Sequence, residues 1–294
     1  MKRILLGFII VGIILGMTAC QQEEETLVIG FFPAQDSDKM ADTIEPLAER
    51  LSEELGMRVE GSVMTNYNAL VDAMGANEIQ IGFIPAFGYI LANEEYDAQV
   101  ILKSLRNGEG SYKAQYLVKT DDDIEELTEL ENVVWALPDK ASTSGYLFPA
   151  KQLMNELNVT SVNGLEQGYI DEIMETGTHE AAAISVMEGD ADFATTHDHV
   201  LENLSDDYPD IKDNLEVIEY TDEIPNDTIS VVKDLDPELV EAIKEAFLEF
   251  NEDEEMIQIM NDVYTWDGIT EATDEEYEFV RETFHEFRDI IDDE

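Results

Sequence analysis

The chain has 294 residues, with 16 basic against 68 acidic side chains and a formal net charge of −52. That charge excludes routine nucleic-acid binding, because phosphates would be repelled. An apolar share of 44%, spread along the chain with its aromatic residues, excludes an acidic disordered tail. One cysteine, Cys20, excludes an intrachain disulfide.

Lys2-Arg3 opens a short basic start, and the apolar run 4–17 that follows is too short to span a bilayer comfortably. Met17-Thr18-Ala19-Cys20 resembles the lipobox of bacterial lipoproteins, where cleavage precedes an acylated cysteine. That resemblance makes 1–20 a leader, Cys20 the lipidation site and 21–26 a polar tether. The competing reading is an uncleaved anchor helix. Both place the folded part on the extracytoplasmic face, held at the membrane.

From Thr26 onward the pattern alternates. A strand at 27–32 ends at Pro33, and helical spacing over 41–55 stops at Gly56. A strand follows at 59–64, a short helix at 68–74, a strand at 80–84, a helix at 86–93 and a strand at 116–118. Helical spacing at 122–130 leads to a buried strand at 133–137. A helix at 147–157, a strand edge at 168–170, a helix at 179–188 ending at Gly189, and strands at 191–195, 215–220 and 229–232 complete a second set. Amphipathic helices are predicted at 237–249 and 274–291. Repeated units of this kind predict mostly parallel, doubly wound sheets. Two sets in one chain predict two lobes, 27–119 with 226–294 and 120–225, joined by a hinge of two crossings near 119–122 and 221–226. Ligands favour such a crevice.

Ser142-Thr143-Ser144-Gly145-Tyr146 sits between the strand at 133–137 and the helix at 147–157. A helix start carries unpaired N–H groups and a partial positive charge, so it can hold an oxyanion without a cationic side chain. One hydroxyl suffices for an N-cap. Three in succession point to an anion cradle built from Ser142, Thr143 and Ser144.

This segment, with Pro149 and Leu153 after it, resembles the STSGY segment of phosphate/phosphite/phosphonate-binding lipoproteins of ABC importers. Four further stretches carry the same resemblance in order: Tyr67-Asn68-Ala69-Leu70-Val71-Asp72-Ala73-Met74, Gly82-Phe83-Ile84-Pro85-Ala86-Phe87-Gly88-Tyr89, Gly177-Thr178-His179-Glu180-Ala181-Ala182 and Ile224-Pro225-Asn226-Asp227. The resemblance implies an α/β, two-lobed type II periplasmic-binding-protein fold. It implies a monomeric receptor, with no enzymatic activity, cofactor or metal, that delivers a phosphorus oxyanion to a membrane permease. By the same resemblance Tyr67 and Tyr112 reach the ligand from the first lobe, with Tyr89 as competitor, and His179 donates to it. Asp198 and Asp227 fall where family members that prefer aminoalkylphosphonates place carboxylates facing an ammonium. Either could instead accept a proton from P–OH, or simply be solvated.

Two rivals are a binder of another anion, such as a sulfonate, on the same fold, and a phosphorus-ester hydrolase using Ser142 or Ser144 with His179. The second lacks a G-x-S-x-G elbow. His197-Asp198-His199 invites a metal reading, since two His at i and i+2 on a strand share a face. No third His or Cys lies nearby in sequence, so no metal is expected. The dispersed acidic residues read as a halophilic-type surface, whose self-repulsion fades as the Debye length falls to roughly 3 Å at 1 M salt. The thermal unfolding midpoint is therefore expected to rise between low and molar salt. A flat or falling midpoint in a salt series would refute that reading.

Overall fold

The computed structural model describes residues 26–32 and 37–292. The leader, Cys20, the tether through Glu25 and Pro33 lie outside the described residues. Among the described residues no helix is long and apolar enough to cross a membrane.

The chain starts with β1 (Thr26–Phe31), α1 (Ser37–Leu55) and β2 (Arg58–Val63). Gly56, at φ +63°, supplies the left-handed residue that ends α1. Next come α2 (Tyr67–Gly75), β3 (Ile81–Ile84), α3 (Ala86–Tyr96) and β4 (Gln99–Leu105). A second group holds β5 (Ser111–Lys119), β6 (Val134–Leu137), a π-helical turn at Thr143–Leu147 and α4 (Phe148–Glu156). It continues through α5 (Val162–Gly168), β7 (Glu172–Glu175), α6 (His179–Glu188) and β8 (Phe193–His197). Short helices α7 (Val200–Leu204) and α8 (Ile211–Asn214) lead to β9 (Leu215–Pro225). The chain then returns through β10 (Thr228–Val231), α9 (Pro237–Glu249), α10 (Glu254–Tyr264), β11 (Gly268–Glu271) and α11 (Glu278–Asp292).

Two sheets result, ordered β11-β4-β10-β3-β1-β2 and β7-β6-β8-β5-β9. Both are mixed, which corrects the mostly parallel expectation. β10 runs antiparallel to β3 and β4, and β5 runs antiparallel to β8 and β9. Each of these two strands is the first after a crossing, so it enters its sheet against its neighbours. β5 also corrects the expected boundary at 119/120. It pairs with β8 and β9, so the first crossing falls at 106–110 rather than near 119–122.

Three further local readings change. The segment 122–130 forms only a 3-10 turn at Leu127–Glu129. Residues 168–170 close α5, and the strand begins at Glu172. The strands β4 and β11 and the helices α5, α7, α8 and α10 were not anticipated.

Side chains of β1, β3, α1, α9 and α10 form one core. A second core joins Trp135, Phe193 and Tyr116 of the other sheet to Phe87, Tyr89 and Ile90 of α3 and to Val280 and Phe287 of α11. On that side the two sheets share packing.

Asn226 fastens the two crossings together. It is fully buried, and its Nδ2 donates to the carbonyls of Ser104 at 3.0 Å and Glu109 at 2.9 Å. Its own N–H donates to Gly110 O at 3.0 Å, and Tyr277 Oη donates to its carbonyl at 2.9 Å. Asn226→Ala removes both Nδ2 hydrogen bonds, although Glu109 O keeps the N–H of Arg106 at 3.0 Å, and is expected to cost on the order of 1–3 kcal/mol of stability. Urea unfolding measures this, and a loss below 0.5 kcal/mol, roughly the scale of a surface substitution, would contradict it.

Candidate functional site

A cleft of about 820 Å³ lies between the sheets. The π-helical turn forms part of its wall, for reasons that start in the sequence. Pro149 has no N–H to give the carbonyl of Gly145 four residues back. That carbonyl instead accepts the Thr195 hydroxyl at 2.5 Å, and Thr195 Oγ1 accepts the indole N–H of Trp135 at 2.7 Å. Ser142 Oγ accepts the N–H of Gly145 at 3.0 Å and so caps the turn. A Cβ on Gly145 would meet Pro138 Cδ at 2.5 Å and Ser142 Oγ at 2.9 Å, so only glycine fits. The N–H groups of Thr143 and Ser144 head the turn and meet no acceptor among the described residues.

Six of the eight expected site residues line this cleft: Tyr67, Tyr112, Ser142, Ser144, His179 and Asp227. Tyr67 is the first residue of α2, and burial foremost, with Asp227 next, holds its phenol well above the usual range. It is a protonated donor. Tyr112 lies on β5 and therefore belongs to the second sheet, which corrects its expected approach from the first lobe. Its Oη donates to Ser144 Oγ at 3.3 Å, leaving the Ser144 proton available. The competitor Tyr89 is committed elsewhere, with its hydroxyl donating to Asp274 Oδ1 at 2.5 Å.

Thr143 is not a cleft-lining residue. It is fully buried, and its Oγ1 accepts the N–H of Phe87 at 2.9 Å, stitching the turn to α3. Asp198 opens instead into an adjoining pocket of about 740 Å³. Its Oδ2 accepts the N–H of Lys113 at 3.1 Å, and its Oδ1 lies 2.9 Å from His199 Nδ1. β8 ends at His197, so Asp198 turns off the strand away from the cleft.

His179 opens α6, behind the N-cap Thr178, whose hydroxyl accepts the N–H of Ala181 at 3.1 Å. His179 Nδ1 accepts the backbone N–H of His197 at 3.3 Å, which leaves the ring proton on Nε2. Burial, assisted by Arg106, pushes its pKa down to about 3, so the ring is a neutral donor. His197 lines the same cleft, its Nδ1 accepting the N–H of His199 at 3.2 Å. Burial, with His179 next, holds it well below the ordinary range too. Among the described residues no group of three or more His, Cys, Asp or Glu is arranged to hold a metal ion. The inward nitrogens of His179 and His197 are already taken by backbone.

Among the lining residues that the expected set lacked, Arg106 and His197 bear most on the chemistry. His197 was weighed only as a metal ligand. Arg106 stands on the first crossing, which the sequence reading placed a dozen residues later. Arg106 Nη2 meets Asp227 Oδ2 at 2.5 Å.

The depressed histidines carry a pH signature. A histidine kept neutral in the fold binds a proton more readily when unfolded. Its stabilising contribution is present above its ordinary pKa of 6.5 and is lost as pH falls toward about 3. Carboxylate repulsion relaxes over the same range, so the comparison must be with a variant. His179→Gln is expected to show a shallower fall in melting temperature through that window than the parent. Parallel pH profiles would contradict the assignment.

Comparison with known proteins agrees with this architecture. The family model described as "ABC transporter, phosphonate, periplasmic substrate-binding protein" matches residues 29–277. The phosphate-import protein PhnD of Mycolicibacterium smegmatis is 25% identical over 278 residues, which is 90% of this chain and 86% of that protein. The structure of a binding protein component of an ABC phosphonate transporter from Pseudomonas aeruginosa aligns with a TM-score of 0.78 at 19% identity, covering 89% of this chain and 86% of that one. PhnD1 from Prochlorococcus marinus, solved in complex with methylphosphonate, aligns with a TM-score of 0.77 at 20% identity, covering 90% and 98%. The two-lobed fold is thus the type II periplasmic-binding-protein fold. On the extent of the family match, the chain belongs to the periplasmic substrate-binding proteins of phosphonate ABC transporters.

Proposed function

We propose that this protein is a lipid-anchored receptor, tethered through Cys20, that captures a phosphorus oxyanion in its cleft and presents it to a membrane permease. The ligand class is phosphonate, phosphite or phosphate. The observation that carries the reading is the gathering of neutral donors at one cleft. Ser142, Ser144, Tyr67 and His179 line it, with Tyr112 donating to Ser144 and leaving that hydroxyl's proton to give, beside the N–H groups of Thr143 and Ser144, which meet no acceptor among the described residues. Burying a charged oxyanion demands many donors, and each hydrogen bond to a charged group is worth about 1.5–3 kcal/mol. Both the naming of the Mycolicibacterium relative and the ligand of the Prochlorococcus structure fit this class.

Binding without chemistry is the better reading of the same residues. A serine nucleophile needs a base beside it. His179 Nδ1 is occupied by the His197 N–H and its Nε2 carries the proton. The ligand favours lobe closure only as far as the closed form binds it more tightly. Donors act at contact distance, while surface carboxylates lie farther off and are screened. Affinity is therefore expected to hold or improve as salt rises.

Thermal-shift and calorimetric titration with methylphosphonate, phosphite, phosphate and methanesulfonate test the class. Ser144→Ala is expected to weaken the tightest phosphorus ligand by about 1–3 kcal/mol while leaving the melting temperature near that of the parent. Unchanged affinity in that variant, or no stabilisation by any phosphorus oxyanion, would overturn the proposal.

A further inference from the structure

Among the described residues, Arg106 is the one cationic side chain lining the cleft. It stands on the first crossing and Asp227 follows the second, so the pivot itself carries an ion pair. Arg106 Nη2 donates to Asp227 Oδ2 at 2.5 Å, Nη1 to Asn226 Oδ1 at 3.4 Å and Nε to the carbonyl of Tyr264 at 3.3 Å. The guanidinium carbon lies 5.6 Å from the centre of the Tyr112 ring. These contacts fix the group from several sides, and its side chain is 14% exposed.

A guanidinium carries five N–H donors. The three contacts use three of them, which leaves one on each terminal nitrogen. Each of these can serve an oxygen of a tetrahedral anion. Asp227 meanwhile compensates the cation before any ligand arrives, which avoids a bare buried charge.

The neutral donors read charge only weakly. A hydroxyl, a phenol or an imidazole N–H serves a sulfonate oxygen and a phosphonate oxygen alike. The other charged residues lining the cleft are carboxylates: Glu180, Asp206, Asp207 and Asp262 beside Asp227. They oppose each added negative charge. A cationic group at contact distance favours the second charge most strongly, and Arg106 is cationic and lines the cleft.

We infer that Arg106 is a ligand-contacting residue that sets the charge the cleft accepts. It selects a doubly ionised tetrahedral phosphorus oxyanion over a singly charged anion of the same shape, such as an alkylsulfonate. This rests on the receptor reading above.

The test is calorimetry with methylphosphonate and methanesulfonate on the parent and on Arg106→Gln, at an alkaline pH where methylphosphonate carries two charges. The parent is expected to prefer methylphosphonate. Arg106→Gln is expected to lose on the order of tenfold or more in methylphosphonate affinity, the scale of a charged hydrogen bond. Its methanesulfonate affinity should fall by a smaller factor, so that the selectivity ratio narrows. A merely structural role would lower both affinities alike, and that outcome overturns the inference. So does an unchanged methylphosphonate affinity, or a parent that binds both ligands equally. If the Gln variant fails to fold, Arg106→Lys, which keeps the charge, is expected to retain the preference for methylphosphonate, and loss of that preference would overturn the inference. A parent that binds no phosphorus oxyanion at all would instead strike the receptor reading.

Discussion

The cleft depends on how one turn is tied down. Gly145 lies flush beneath Pro138, its carbonyl held by Thr195 and that hydroxyl held by Trp135. Because this relay is buried between β6 and β8, the turn cannot relax into an ordinary α-helical start. Leu147 N–H reaches Ser142 O, five residues back, and the N–H groups of Thr143 and Ser144 meet no acceptor among the described residues. Ser142 then spends its acceptor on Gly145, and Ser144 spends its own on Tyr112. Both hydroxyls keep a proton to give. The donor geometry is therefore set by packing under the turn.

Charge imposes a second discipline. A chain of net −52 cannot hold an anion through its overall field. Its cleft uses phenols kept protonated by burial and imidazoles kept neutral by burial. Desolvation raises the one kind of pKa and lowers the other, and both shifts leave an uncharged N–H or O–H. Among the described residues the lone cationic side chain lining the cleft is delivered with its own counter-charge. The turn itself carries no cationic side chain, whereas Arg106 brings one to the cleft.

What the sequence disclosed follows from where the relevant physics is local. Helix α6 was legible at both ends, because Thr178 is a hydroxyl cap and Gly189 is the left-handed stop. Helix α9 was legible from Asp236-Pro237 and its apolar stripe. The Ser142–Gly145 turn was legible because hydroxyl runs before a helix are rare in the role of simple caps. Features fixed by distant partners were not legible. β5 reads as one more strand of the first set, and only its pairing with β8 and β9 reveals its sheet. With that strand misplaced, Tyr112 went to the wrong side and Arg106 disappeared into the middle of a lobe. Thr143 looks identical to its neighbours until Phe87 is seen to claim its hydroxyl. Asp198 looks like a cleft carboxylate until β8 is seen to stop one residue earlier.

The core shared by α3, α11 and the second sheet has a geometric corollary. It acts like the spine of a bound volume. Pages may fan at the free margin while the stitching barely moves. Phe87 and Thr143 are stitched along that spine, whereas Asp206, Asp207 and Asp262 line the cleft outside that core. Any rotation that preserves the stitched packing leaves the hydroxyl-bearing turn in place against α3 and moves the unstitched carboxylates instead.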